Sequence, residues 1–128
     1  MIKIIDSKIL VTVMHKNDAQ NIAKRMIQTV LHEDAGTTWI KATQSFLSAA
    51  IFYMKETYNE NVSFQEIQSF IAHSDKNKYF LKNVIKSLDL NHPSYHAFQN
   101  LLLSKERTRI LVFSLSKLSV RETIRYQK

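Results

Sequence analysis

The chain has 128 residues with one glycine, one proline and no cysteine, and its 18 Lys and Arg against 11 Asp and Glu give a net charge of +7. So little turn chemistry excludes a hairpin-rich β architecture, and the lack of cysteine excludes disulfides and thiolate chemistry, while the length suits one domain with its own core. No uninterrupted apolar stretch approaches the roughly twenty residues needed to cross a bilayer, and the start carries no apolar signal-peptide core.

Residues 1 to 16 are the least regular part. Ile2, Ile4, Ile9, Val11 and Val13 alternate loosely, so this lead-in is expected as a short strand or an extended segment. From residue 17 to 128 the chain is expected to form one all-α helical domain. Asn17 or Asp18 can cap a helix in which Ala19, Ile22, Ala23, Met26, Ile27, Val30 and Leu31 share one face. Gly36 follows Glu33, Asp34 and Ala35 and is expected to permit the turn into the next helix, capped by Thr37 or Thr38.

That next helix, about 38 to 58, dominates the sequence. Between Trp39 and Tyr58 the apolar residues cover most of the helical circumference, leaving a narrow polar stripe of Lys41, Gln44, Ser45, Ser48 and Lys55 that Phe52 interrupts. A helix apolar nearly all round has to be wrapped by others, so the expected fold is a single compact bundle of about five to seven helices around this central one. Trp39 and Tyr58 are expected to pack into the core rather than to stack on a ligand.

Ser63, Phe64, Gln65 and Glu66 have the spacing of a capping box, with Val62 and Ile67 placed as a hydrophobic staple. The helix they start buries Phe64, Ile67, Phe70 and Ile71 and is expected to stop near 73 to 75. A fourth helix is expected from about Lys76 to Leu88, burying Phe80, Leu81, Val84, Ile85 and Leu88. Asn91, His92 and Pro93 read as a break and restart with the proline in the first helical turn, and Tyr95, Phe98, Leu101 and Leu102 form the following apolar face. Periodicity leaves open whether Ser104 to Arg107 begins a new helix or lies within a continuous one. Leu111, Leu115 and Leu118 give the last core-facing row, thickened by Val112 and Phe113, and the charged end from Ser119 to Lys128 is expected to fray.

The charge is uneven along the chain. Residues 1 to 60 hold seven basic and six acidic groups, whereas residues 61 to 128 hold eleven and five, so +6 of the net charge lies in the second half. Such a field suits an anionic partner, nucleic acid or an acidic protein surface. Two rows carry it at helical spacing: Lys78, Lys82 and Lys86, and Lys117, Arg121 and Arg125; Lys105, Arg107 and Arg109 form a third cluster whose spacing of two spreads it round a helix. A lysine row opposite an apolar face is also the ordinary solvated side of an amphipathic helix. Neither row is interleaved with aromatics as base stacking requires, so contact with phosphates or acidic groups is expected rather than base readout.

Catalysis is not expected. One glycine cannot build a phosphate-cradling loop, and no local Ser, His and carboxylate signature is present, so no catalytic, cofactor-binding or metal-ligating residue is assigned. His92 and His96 are four apart, a spacing used by metal-binding helices, yet no glutamate of the zinc-protease motif and no third ligand accompany them. Water-facing histidines are the plainer expectation.

Taken in order, Asn17-Asp18-Ala19 to Ile27, then Asp34-Ala35-Gly36-Thr37-Thr38-Trp39 with the run Ala42 to Tyr53, then Ser63-Phe64-Gln65-Glu66-Ile67, and finally Glu106 to Leu118 resemble the all-α domain inserted in the ATPase of type IV coupling proteins, the motors of conjugation and type IV secretion. The likeness spans about residues 17 to 118 and departs from the family pattern at Thr38, where an aspartate, proline and aromatic cluster often stands. The resemblance implies a substrate-recognition domain of a larger membrane-anchored, hexameric ATPase at the cytoplasmic face of the membrane, with ATP and Mg bound elsewhere in that parent and no cofactor or membrane contact here. Its partners would be a relaxase, relaxosome accessory proteins, transferred DNA or a secreted effector, met by Lys78, Lys82, Lys86, Lys105, Arg107, Arg109, Lys117, Arg121 and Arg125. The same helical domain is similar to the core-binding domain of tyrosine recombinases, which implies, as the alternative, a free-standing DNA-binding module. A structural or oligomerisation module is the third class.

Overall fold

A computed structural model describes residues 10–11, 16–31, 38–58 and 62–126. In chain order these form β1 (Leu10–Val11), α1 (Lys16–Gln28), α2 (Thr38–Tyr58), β2 (Val62–Ser63), α3 (Phe64–Lys76), α4 (Lys78–Lys86), α5 (Tyr95–Leu103) and α6 (Glu106–Tyr126). The protein is an all-α bundle, and its only strand pairing among the described residues is a two-residue antiparallel ladder, Leu10 opposite Ser63 and Val11 opposite Val62. The expected Gly36 turn and Thr37 cap lie outside the described residues.

The bundle is built around α2. α1, α3, α5 and α6 all pack on it, whereas α4 lies against α3 and α5 at the periphery. α1 turns Ala19, Ala23, Met26 and Ile27 inward, and the two alanines allow close approach to α2. α2 itself buries Ile40, Thr43, Phe46, Leu47, Ala49, Ala50, Ile51 and Met54. Thr43 is tolerated there because its hydroxyl donates to the Trp39 carbonyl at 2.8 Å. Trp39 is only half-buried, packed on the margin of the core.

Phe46 is the hub of that core. At 1% exposure its ring meets Phe113 of α6 edge-on at 5.4 Å, Phe98 of α5 at 6.1 Å and Phe70 of α3 at 6.2 Å. Phe70 in turn meets Phe80 of α4 at 5.3 Å and Tyr53 of α2 at 5.8 Å. Edge-to-face and tilted pairs at these separations add to the burial energy, so one chain of rings ties five helices together.

Local chemistry sets the helix ends. At α3 the Glu66 N–H donates to Ser63 Oγ (3.1 Å) and the Ser63 N–H donates to Glu66 Oε1 (3.2 Å), while Val62 and Ile67 are fully buried as the staple. α3 runs on to Lys76, past the expected stop. Asn77 then serves two helices: its N–H donates to the His73 carbonyl at 3.1 Å, closing α3, and its Oδ1 accepts from the Tyr79 N–H at 2.9 Å, opening α4.

Three other boundaries differ from expectation, and a fourth, left open by periodicity, is a break. α1 already includes Lys16, so Asn17 and Asp18 lie inside its first turn rather than ahead of it. α4 is shorter than expected, Lys78 to Lys86, because Ser87 Oγ donates to the Val84 carbonyl at 2.6 Å and closes the helix. Pro93 stands before α5, not within its first turn. Ser94 is the N-cap position, yet its buried hydroxyl does not cap α5; it donates to the Ala49 carbonyl of α2 at 2.7 Å, tying the start of α5 to the central helix. Between α5 and α6 the chain breaks at Ser104, whose hydroxyl donates to the Leu101 carbonyl at 2.6 Å.

α6 corrects two further expectations. It stays helical to Tyr126, with Ser119 and Val120 fully buried, so the charged end does not fray over the described length. Its inward face is Val112, Phe113, Leu115, Ser116, Ser119 and Val120, while Leu111 and Leu118 are half-buried. Ser116 and Ser119 occupy the seam because small side chains let a long helix lie close to its neighbours, displacing the larger leucines to the margin.

Candidate anion-binding interface

α4 presents two opposed faces. Leu81, Val84 and Ile85 are buried and Phe80 half-buried, whereas Lys78, Tyr79, Lys82, Asn83 and Lys86 are exposed. The three lysines stand at positions i, i+4 and i+8, so their attachment points rise by about 6 Å per step along one side of the helix. Tyr79 lies between the first two, with its side chain outward and 57% of its surface exposed. Lys78 Nζ is 5.4 Å and Lys82 Nζ 5.6 Å from the centre of its ring, within cation–π range. The expectation that no aromatic interleaves with this row is therefore corrected. Tyr79 was overlooked because a single aromatic next to Phe80 reads as core; its displacement from the 80, 81, 84, 85 apolar row was the signal.

The helix end adds to the field. α4 has no acidic residue in its first turn and carries Lys78 there instead, at the positive end of the helix dipole, where a carboxylate is the stabilising choice. No ion pair involves Lys78, Lys82 or Lys86 among the described residues. Lys78 thus stands at the helix N-terminus, with Lys82 and Lys86 one and two turns on along the same side.

The other candidate cations are placed differently. Lys117 is ion-paired with Asp75 at the end of α3, and Arg121 and Arg125 both approach Glu122, at 3.6 and 3.5 Å. That second row is still exposed, but two carboxylates lie among its three charges. Arg109 is spent on the fold: its guanidinium donates to the carbonyls of Ser104 and, at 3.4 Å, of Leu102, satisfying the C-terminal end of α5. Lys105 and Arg107 are exposed where α6 begins and have no ion-pair partner among the described residues. The structure thus gathers Lys78, Lys82 and Lys86 on one face of α4, and ties Lys117 of α6 to the end of α3 through Asp75.

His92 and His96 do not share a helical face, because His92 lies in the turn before α5. Its Nδ1 accepts from the Ser94 N–H at 3.1 Å and its ring packs on Phe52 at 5.8 Å, while His96 is exposed against the edge of Tyr95. No group of three or more His, Cys, Asp or Glu among the described residues is arranged to hold a metal ion. No helix among them is long and apolar enough to cross a membrane.

A second feature was not anticipated as a site. The polar stripe of α2 is the floor of an open groove of about 660 Å³, walled by Gln20, Asn21 and Lys24 of α1 on one side and by Pro93, Ser94 and Ala97 on the other. A further hollow of about 410 Å³ adjoins it, sharing Lys41, Ser45 and Ala97 and reaching Thr38 and Thr108. Uncovered polar residues on an otherwise enclosed helix were the available signal.

No family model, curated protein or solved structure matches this chain.

Proposed function

We propose that the protein is a non-catalytic recognition module that docks an anionic partner on the outer face of α4, and, from the resemblance of its sequence pattern to the all-α domain of type IV coupling proteins, that its cargo is a relaxase complex or transferred DNA in conjugative transfer. The observation that carries the docking reading is the row of Lys78, Lys82 and Lys86 along α4, without an ion pair among the described residues, whose first two members flank the exposed Tyr79 in the first turn. A surface kept only for solubility gains nothing from a cation at a helix N-terminus, where it costs a few tenths of a kcal/mol, up to about 1.

The exposed ring of Tyr79 between two ammonium groups favours a second reading, direct binding of single-stranded DNA as a free-standing module, since a base can stack on such a ring while phosphates meet the lysines. Fluorescence anisotropy of a labelled single-stranded oligonucleotide with the 128-residue chain separates the outcomes. DNA docking gives saturable binding whose log–log salt slope falls by about 2 units in K78E/K82E/K86E, at about 0.7 per lost phosphate contact. Binding that is untouched in the triple variant removes α4 from the interface. A flat salt response with retained binding to an acidic protein partner assigns the face to protein rather than DNA.

A further inference from the structure

The groove along α2 lies outside the α4 surface and shares no lining residue with it. Its lining contains two lysines, Lys24 and Lys41, three side-chain amides in Gln20, Asn21 and Gln44, and the hydroxyls of Ser45 and Ser48, with no carboxylate among the described residues. Its floor from Lys41 to Phe52 is about 16 Å long at the α-helical rise, and an extended peptide covers that length with about five residues. The side-chain amides are both donors and acceptors, the pairing that a peptide backbone needs on its own N–H and C=O groups. Ser45, Ser48, Ala49 and Ala97 leave the trough open because none carries a long side chain. At one end Phe52 and Pro93 supply an apolar wall, with the Phe52 ring held by His92.

Other ligands fit less well. A nucleotide needs a free aromatic face and close backbone approach to its phosphates; here the one lining aromatic is half-buried against His92, and the lining has neither glycine nor arginine. A purely apolar helix would strand the two lysines and the amides under its surface, unpaired. Charge complementarity selects an acidic chain: among the described residues two cations and no anion face whatever enters.

We propose that the groove between α1, α2 and the start of α5 binds an extended acidic peptide segment, with Lys24 and Lys41 taking its carboxylates, the amides holding its backbone, and Phe52 with Pro93 receiving an apolar side chain. This site is separate from the α4 interface and stands whether or not that interface binds DNA.

The test uses the 128-residue chain labelled with ¹⁵N and titrated to millimolar concentration with a synthetic octapeptide in which glutamate alternates with serine and the last residue is phenylalanine. Saturable shifts confined to residues such as Ser45, Ser48 and Ala97 are expected, with affinity at least tenfold lower in K24E/K41E and unchanged in K78E/K82E/K86E. Both lysines are exposed, so their reversal leaves the core intact; a retained amide spectrum checks this. The proposal is overturned if the peptide causes no saturable shifts in the groove, if a glutamine-for-glutamate peptide binds equally well, or if only the α4 variant loses binding. Equal occupancy of the groove by ADP would overturn it in favour of a phosphate ligand.

Discussion

Replacing Phe46 by alanine is the sharpest test of the bundle's organisation. The ring is 1% exposed and contacts Phe70, Phe98 and Phe113, one ring from each of three other helices. Removing it forfeits the transfer energy of a buried benzyl group and leaves a cavity that four rigid helices cannot close, a combination that costs about 3–5 kcal/mol. With an unfolding entropy of about 2.1 cal/mol/K per residue, a domain of this size loses roughly 4 °C per kcal/mol, so the melting temperature falls by about 10–20 °C. Since single domains have about 5–15 kcal/mol in total, F46A is expected to fold but with much of its reserve gone. Urea titration followed by helical circular dichroism, with Y79A as the matched surface control, measures the difference. Y79A is expected to change stability by no more than about 0.5 kcal/mol, because its ring is mostly in water. If F46A costs less than about 1 kcal/mol, or no more than Y79A, then Phe46 is not the hub and the ring network does not hold the helices together.

Three more outcomes follow from the same coordinates. S63A removes one half of the reciprocal cap on α3 and is expected to cost about 1 kcal/mol in a denaturant titration, whereas a cost near zero would mean that the staple of Val62 and Ile67 alone sets the helix start. Ser116 Oγ and Ser119 Oγ are buried without a hydrogen-bond partner among the described residues, so S116A is expected to leave stability unchanged or raise it by about 1 kcal/mol, and a loss on thermal melting would show that the hydroxyl is satisfied. K78E places a carboxylate in the first turn of α4 and is expected to raise stability by about 0.5 kcal/mol while weakening anion binding; a parallel fall of both would tie Lys78 to the fold instead.

Parts of this architecture were legible without coordinates because they depend on interactions within a few residues. The capping box at Ser63 and Glu66, the inward face of α1 and the apolar girth of α2 all appear where spacing placed them, since a helical period and a four-residue cap are local. The lysine row of α4 was equally readable. Its tyrosine was legible in part, since Tyr79 stands off the apolar row of 80, 81, 84 and 85, but only the packing of α4 against α3 and α5 leaves its ring in water. Nor did spacing show that Arg109 caps the end of α5, or that Lys117 meets Asp75, 42 positions away in the chain.

The sequence by itself determined that this is an all-α protein with a buried central helix and a positively charged second half, because composition, period and charge are properties of the chain as written. Only the tertiary structure decided which residues form the seams and which line the surfaces. α6 meets its neighbours through Ser116 and Ser119 rather than through Leu118, Ser94 leaves its own helix uncapped to reach Ala49, and the polar stripe of α2 opens into a groove. Each depends on how closely two helices approach, a distance set jointly by side chains far apart in the chain, and no local period encodes it.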